Sequence, residues 1–319
     1  MHEFDIIKKY FSKLSLNNKS SLDLNDDVFF NKSKELVISM DTYIEGIHFI
    51  NFKDPDLVIK KILRSSISDL ICKGVKPKYY FISGSGNKKS FNKKNLRKIS
   101  ESLKEEQKKY SIYLSGGDTV YSKKLSFTIT TVGFSNRIVL RNKAKINDDI
   151  YVTGNLGDSF IGLEILKNKI NLNKKLNDYF KEKYYLPDLK FSLTNKLLSF
   201  ANTSIDISDG LIADLDKLIN KQNLSYKLYL NDIPISKNLK KLINMKIIKK
   251  KSCVSKGDDY QILFTSSKSK SRIINKISKS LGIKISKIGK ICTPKANSQI
   301  YNEKNSKISL KNDGYYHNF

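Results

Sequence analysis

Residues 112–119, IYLSGGDT, read as a short β-strand (Ile112–Ser115) that ends in Gly116-Gly117 and delivers Asp118 into the turn beyond. The same order, apolar strand then acid, recurs elsewhere. ELVISM (35–40) is a short buried strand followed directly by Asp41. SIDISDGL (204–211) brackets a turn with Asp206 and Asp209, just before a helix expected over Leu211–Asn220. A further helix should open at Asp54-Pro55 and run to about Cys72, before Gly74. Asp69 falls near its end. Strands and helices mixed in this way specify an α+β chain.

Outward from these landmarks, Phe4, Ile7, Phe11 and Leu14 stand at helical spacing. Tyr79–Ser83 and Leu125–Phe134 read as strands, with a lysine-faced helix over Asn92–Tyr110 between them. The second half has the same mixed character, with strands at Asp149–Thr153, Tyr226–Leu230, Tyr260–Thr265 and Ile285–Ile291, and a helix from Gly157-Asp158 through Leu166. No fixed-period repeat is present. The polar, basic stretch 137–148 is the natural junction, which divides the chain into 1–140 and 141–319.

The chain has 319 residues, 39% of them hydrophobic, enough to bury a core. Its formal charge is +28, yet only Arg64, Arg97, Arg137, Arg141 and Arg272 are arginine. Recognition of phosphates and bases leans on arginine's planar fork. The lysines instead spread along the whole chain beside abundant Asn, Ile and Ser. The excess is therefore expected to be compositional background, with no specific nucleic-acid partner. No apolar run reaches the roughly 18–20 residues of a membrane span, and MHEFDIIKKYF has no leader pattern. Cys72, Cys253 and Cys292 are too few and scattered for a disulfide framework or a metal knuckle. A soluble, cytoplasmic protein is expected.

The chemistry lies in the placement of the acids. Single aspartates at turns and caps need no function. A set of them beside glycines at strand ends suggests loops converging on one rim. Hard oxygen ligands without His or Cys suit magnesium rather than zinc or iron, and several such ions would let carboxylates approach phosphate. No GxxxxGK[ST] and no HRD or DFG set occurs, which excludes P-loop enzymes and protein kinases.

Taken in order, NDD (25–27), SMDTYIEGIHF (39–49), SISDL (66–70), LSGGDT (114–119), YVTGNLGDS (151–159), SIDISDGL (204–211), GDDYQILFT (257–265) and GYYHNF (314–319) resemble the thiamine-monophosphate kinases, of the aminoimidazole ribonucleotide synthetase-like superfamily. The resemblance covers essentially the whole chain. It implies two mixed α/β domains with an active-site cleft between them, and a homodimer formed through the N-terminal one. It implies ATP-dependent phosphorylation of thiamine phosphate to thiamine diphosphate, with Mg2+ as cofactor and no covalent nucleophile. Carried over by position, metal ligation falls to Asp27, Ser39, Met40, Asp41, Asp69, Asp118, Asp206 and Asp209. ATP contacts fall to Gly117, Asp118, Arg141 and Ser208. Thiamine phosphate contacts fall to His48, Asp258 and Tyr315. Asp41 and Asp118 are expected to end neighbouring strands and share an ion. Asp259 is expected to point away from Asp258.

This chain differs from the family pattern at Asn25, where glycine is usual and asparagine can take φ > 0, at Met40 for threonine, and at Asp258 for glutamate. Val120-Tyr121-Ser122 stands where Thr-Arg-Gly often follows the GGDT. The alternatives are another ATP-using enzyme of the superfamily, or a nucleotide binder that these departures have silenced.

Overall fold

The computed structural model describes residues 3–293, 297–302, 304, 306–308 and 314–315. The chain opens with α1 (Glu3–Ile6), which passes into a π-turn at Ile7–Phe11 and a 3-10 turn at Ser12–Ser15. Phe11 and Leu14 are exposed, so the helical spacing read there does not mark a buried face.

The first half then runs β1 (Phe29–Asn31), β2 (Leu36–Ile44), α2 (Pro55–Cys72), β3 (Pro77–Gly86), α3 (Lys93–Tyr110), β4 (Tyr113–Tyr121) and β5 (Ser126–Phe134). These strands form one sheet in the order β1-β2-β5-β3-β4, in which only β3 and β4 pair in parallel. Along β5 burial alternates, placing Phe127, Ile129 and Thr131 on the face covered by α2.

The second half runs β6 (Asp149–Thr153), α4 (Asp158–Leu166), α5 (Lys174–Tyr185), α6 (Thr194–Leu197), β7 (Thr203–Asp206), α7 (Leu211–Leu218), β8 (Ser225–Tyr229), α8 (Lys237–Asn244), α9 (Lys250–Val254), β9 (Ile262–Ser266), α10 (Ser271–Leu281), β10 (Ile285–Cys292), β11 (Gln299–Tyr301) and β12 (Lys307–Ile308). Its sheet has the order β12-β11-β8-β10-β6-β9-β7.

The rod between the two sheets is α2. Proline occupies its first turn, where a missing N–H costs nothing. Val58, Ile59, Ile62, Leu63 and Ile67 share a core with Tyr184, Leu189 and Phe264 of the second half. Arg64 clamps the same junction. Its Nε and Nη2 donate to Glu106 at 2.8 and 2.7 Å, and its Nη1 donates to the Pro187 carbonyl at 3.3 Å.

Two strands outrun the sequence reading. Asp41 lies inside β2, and Asp118 lies inside β4, which continues through Gly116-Gly117 to Tyr121. Nor are β2 and β4 neighbours, since β5 and β3 lie between them.

Candidate active site

Serines and lysines interrupt the apolar surface of α2, and Lys61 and Ser68 find partners in the second half. Lys61, Ser65, Ser68 and Cys72 recur at spacings of four, three and four residues, one face of a helix. Lys61 reaches Asp258, and the Ser68 hydroxyl donates to Asp206 Oδ2 at 2.7 Å. Ser66 Oγ lies 2.9 Å from the Tyr43 hydroxyl, which donates to Asp41 Oδ2 at 3.3 Å. Asp69 accepts a short hydrogen bond from the Ser39 hydroxyl. Strand β2, helix α2 and strand β7 thereby place Asp41, Asp69 and Asp206 around one desolvated region.

These carboxyls raise one another's pKa. Burial pushes Asp69 well above the carboxylate range, and the charges of Asp41 and Asp206 add to it. Burial also raises Asp41, against hydrogen bonds from Tyr43 and Ser66. Asp206 is pushed up to about 6 by burial, with Ser68 and Lys73 pulling it back. Their direct partners are neutral hydroxyls.

Asp26 and Asp27 are held differently. Lys73 Nζ lies 2.7 Å from Asp26 Oδ1 and 2.9 Å from Asp27 Oδ2, and donates to the Ser204 carbonyl at 2.9 Å. The Arg141 backbone N–H donates to Asp26 Oδ2 at 2.9 Å. The Arg141 guanidinium grips Asp27, Nε to Oδ2 at 3.1 Å and Nη2 to Oδ1. Burial alone would lower the Lys73 ammonium's pKa, but Asp26 and other anionic neighbours outweigh it and the net shift is upward.

Toward the N-terminal end of the same face of α2 lies a chain of ring and charge contacts. Lys61 Nζ is 2.6 Å from Asp258 Oδ1 and 4.0 Å from the centre of the Tyr184 ring. Tyr184 OH donates to the His48 carbonyl at 3.3 Å, and the His48 ring lies 5.8 Å from Tyr43 and 6.5 Å from Tyr315. Nδ1 of His48 accepts the Ile44 N–H at 3.0 Å, so His48 presents its remaining edge to this region. Tyr315 N–H donates to the Asp209 carbonyl at 3.2 Å, which links the tail to the β7–α7 turn. Residues 316–319 of the GYYHNF motif lie outside the described residues.

The turn that carries Asp258 is fixed by close backbone approach. A Cβ at Gly257 would sit 1.8 Å from the Ser208 carbonyl oxygen, which also accepts the Asp258 N–H at 2.8 Å. Asp259 points away, its carboxylate accepting the Gly157 N–H at 2.8 Å at the start of α4. Asp209 pairs with Lys217.

Other expected residues are not brought together. Cross-strand partners run Asp41, Ile129, Ile82, Gly117, so Asp41 is three strand steps, about 14 Å, from β4. Asp118 pairs with Ser83 on the opposite face of the sheet. Within one chain it cannot share an ion with Asp41. Gly117 packs against β3, where a Cβ would lie 1.9 Å from the Ile82 carbonyl oxygen. The Met40 side chain points outward and is exposed, leaving only its backbone as a ligand. Asn25 has φ −122°, outside the region that favours glycine, and exchanges side-chain hydrogen bonds with Asn220.

Among the described residues, no three His, Cys, Asp or Glu side chains close on one point as metal ligands. Magnesium does not require that, because it takes one or two carboxylates and completes its shell with water and substrate phosphates. The Asp41, Asp69 and Asp206 oxygens, desolvated and partnered by neutral hydroxyls, fit such an ion. Asp26 and Asp27 do not, because their oxygens are already taken by Lys73 and Arg141. Sequence reasoning missed Lys61, Lys73, Tyr43, Tyr184, Ser66 and Ser68. Tyr43, Ser66 and Ser68 do fall within the SMDTYIEGIHF and SISDL motifs, but no role is read for them there.

Comparison with known proteins places this arrangement. Residues 25–135 match the family model of the AIR synthase related protein, N-terminal domain. Thiamine-monophosphate kinases of Buchnera aphidicola subsp. Schizaphis graminum and subsp. Acyrthosiphon pisum are 35% and 33% identical, each alignment covering 99% of this chain and 98% of the relative. The solved structure of AaThiL complexed with AMPPCP and TMP superposes with a TM-score of 0.85 at 25% identity, over 99% of this chain and 97% of that one. With relatives this similar over the full length and a fold shared throughout, the chain is an enzyme of the thiamine-monophosphate kinase family.

Proposed function

We propose that this chain transfers the γ-phosphoryl group of ATP to the terminal phosphate of thiamine phosphate, giving ADP and thiamine diphosphate. One observation carries the reading: desolvated aspartates and the His48–Tyr184–Lys61–Asp258 network flank the same helix, in a chain that matches the complex with AMPPCP and TMP end to end. Asp41, Asp69 and Asp206, with oxygens from Ser39 and the Met40 carbonyl, would hold Mg2+, and Asp209 would hold a further ion only on release from Lys217. Bound there, magnesium would supply charge neutralisation between carboxylates and phosphates. Gly117, Asp118, Arg141 and Ser208 serve the nucleotide. His48 and Tyr315 flank the thiamine phosphate, and Asp258 faces its cationic end.

The acceptor is already an anionic phosphate oxygen, so no Ser, Cys or His nucleophile and no general base is needed. The protein's work is to position the two phosphates in line and to exclude water between them. A division at 140/141 assigns nucleotide, metal and dimer contacts to the first domain and completion of both sites to the second.

The outer face of the first sheet supports a homodimer. Met40, Tyr79, Phe81, Tyr113, Val120 and Phe134 lie exposed on it, a patch of the kind that marks an interface. Asp118 shares that face, so a second copy docked there would meet it, and Asp118 would act across the dimer. Among the described residues no helix is long and apolar enough to cross a membrane. Dependence on ATP argues for the cytoplasm.

Acceptor choice tests the reading. Release of ADP from ATP and Mg2+ should follow addition of thiamine phosphate, and should stay at background with thiamine or thiamine diphosphate. Equal release with all three acceptors would leave only a nucleotide hydrolase.

A further inference from the structure

Lys73 ends α2 with its side chain wholly buried, and three oxygens surround its ammonium within 3 Å: Asp26 Oδ1 at 2.7 Å, Asp27 Oδ2 at 2.9 Å and the Ser204 carbonyl at 2.9 Å. Arg141, its side chain largely buried, holds Asp27 from the other side. Two cations thus face two carboxylates, and the quartet is neutral. At the neighbouring aspartates the balance differs. Asp41, Asp69 and Asp206 form no ion pair among the described residues, and they accept from Tyr43, Ser39 and Ser68.

A divalent ion entering at Asp27 would add two positive charges to a neutral, desolvated quartet, and would have to displace donors already at hydrogen-bond distance. Burial of uncompensated charge is strongly unfavourable. At Asp41, Asp69 and Asp206 the same ion would meet carboxylates that make no direct ion pair among the described residues. We propose that the Lys73 ammonium takes the place of a divalent cation at the Asp26–Asp27 pair, so that this chain binds one ion fewer than its aspartates would otherwise hold. The inference rests on the reading that the remaining aspartates bind divalent ions.

Manganese tests it without reference to turnover. Bound Mn2+ is counted from the loss of the free-ion electron paramagnetic resonance signal, in wild type, Lys73→Met, Asp27→Asn and Lys73→Met/Asp27→Asn. Methionine approximates the length of lysine without its charge. Lys73→Met should gain one Mn2+ per chain, the double variant should lose it again, and Asp27→Asn alone should match wild type. Should Lys73→Met fail to fold, the Asp27→Asn arm decides, since loss of one Mn2+ in that variant overturns the proposal. Equal, non-zero counts in wild type and Lys73→Met also overturn it, while leaving the metal reading in place. A wild type that binds no Mn2+ overturns both.

Discussion

Lys61 and Asp258 meet at 2.6 Å across the seam between the two halves, with the lysine side chain 2% exposed and the aspartate 27%. The acid assigned to the thiamine end of the site is therefore paired before any substrate arrives. Through Tyr184 the same lysine is tied to His48. If Asp258 faces the substrate as proposed, binding and the packing of α2 against the second half draw on the same pair.

Asp258→Ala should consequently do two things. The Michaelis constant for thiamine phosphate should rise about 10- to 150-fold with that for ATP little changed, the range for one lost charge-assisted hydrogen bond. Stability should fall by about 3 kcal/mol, because a buried ammonium loses its partner. Lys61→Met combined with Asp258→Ala should recover most of that stability in urea titrations but not the Michaelis constant. An Asp258→Ala protein as stable as wild type would show that the pair contributes nothing to the seam.

Asp41→Asn should lower kcat by about 10²–10³-fold, the scale of losing one positioned electrostatic group. The fold should survive, since the amide keeps the side chain's volume and relieves repulsion with Asp69. Urea midpoints at or above wild type together with collapsed turnover are expected. Near-normal turnover at low magnesium would remove Asp41 from the metal site.

The proposed homodimer can be tested at its face. Phe81→Lys with Tyr113→Lys places two charges on an exposed apolar surface and should yield single chains by light scattering, with secondary structure unchanged. A variant that stays dimeric would move the interface elsewhere.

The pH dependence of stability has a probe away from the proposed metal site. Asp158 accepts hydrogen bonds from the Ser236 hydroxyl at 2.7 Å and the Tyr179 hydroxyl at 2.9 Å, and burial raises its pKa above 3.8 despite them. The folded state therefore holds this proton more tightly than the unfolded chain. Its contribution is complete below pH 3.8 and is lost as pH rises from there through the raised value. Asp158→Asn should remove that loss, so variant minus wild-type stability should grow across the window. A difference independent of pH would mean that Asp158 titrates alike in both states.

Much of this was legible in the sequence, and the failures have physical causes. Asp206 closes β7, and the Asp209-Gly210 turn opens α7, as turn chemistry requires. Asp41 and Asp118 looked like strand ends because acids and paired glycines usually interrupt strands. Here Thr42-Tyr43-Ile44 and Thr119-Val120-Tyr121, good strand formers, carry β2 and β4 onward. The sharing of one ion by Asp41 and Asp118 failed for a different reason, since strand order is a long-range property that local pattern does not encode. Lys61 and Lys73 were hidden by composition. Among so many surface lysines, two buried ones carry no distinguishing mark until the helix around them is seen to be buried along most of its length.

Product identity is the most direct test of the whole account. Purified protein with ATP, Mg2+ and thiamine phosphate is followed by phosphorus-31 magnetic resonance. The thiamine phosphate singlet should be replaced by the two coupled resonances of thiamine diphosphate, in step with the appearance of ADP. An unchanged thiamine phosphate signal, or ADP accompanied only by inorganic phosphate, would contradict phosphoryl transfer to thiamine phosphate.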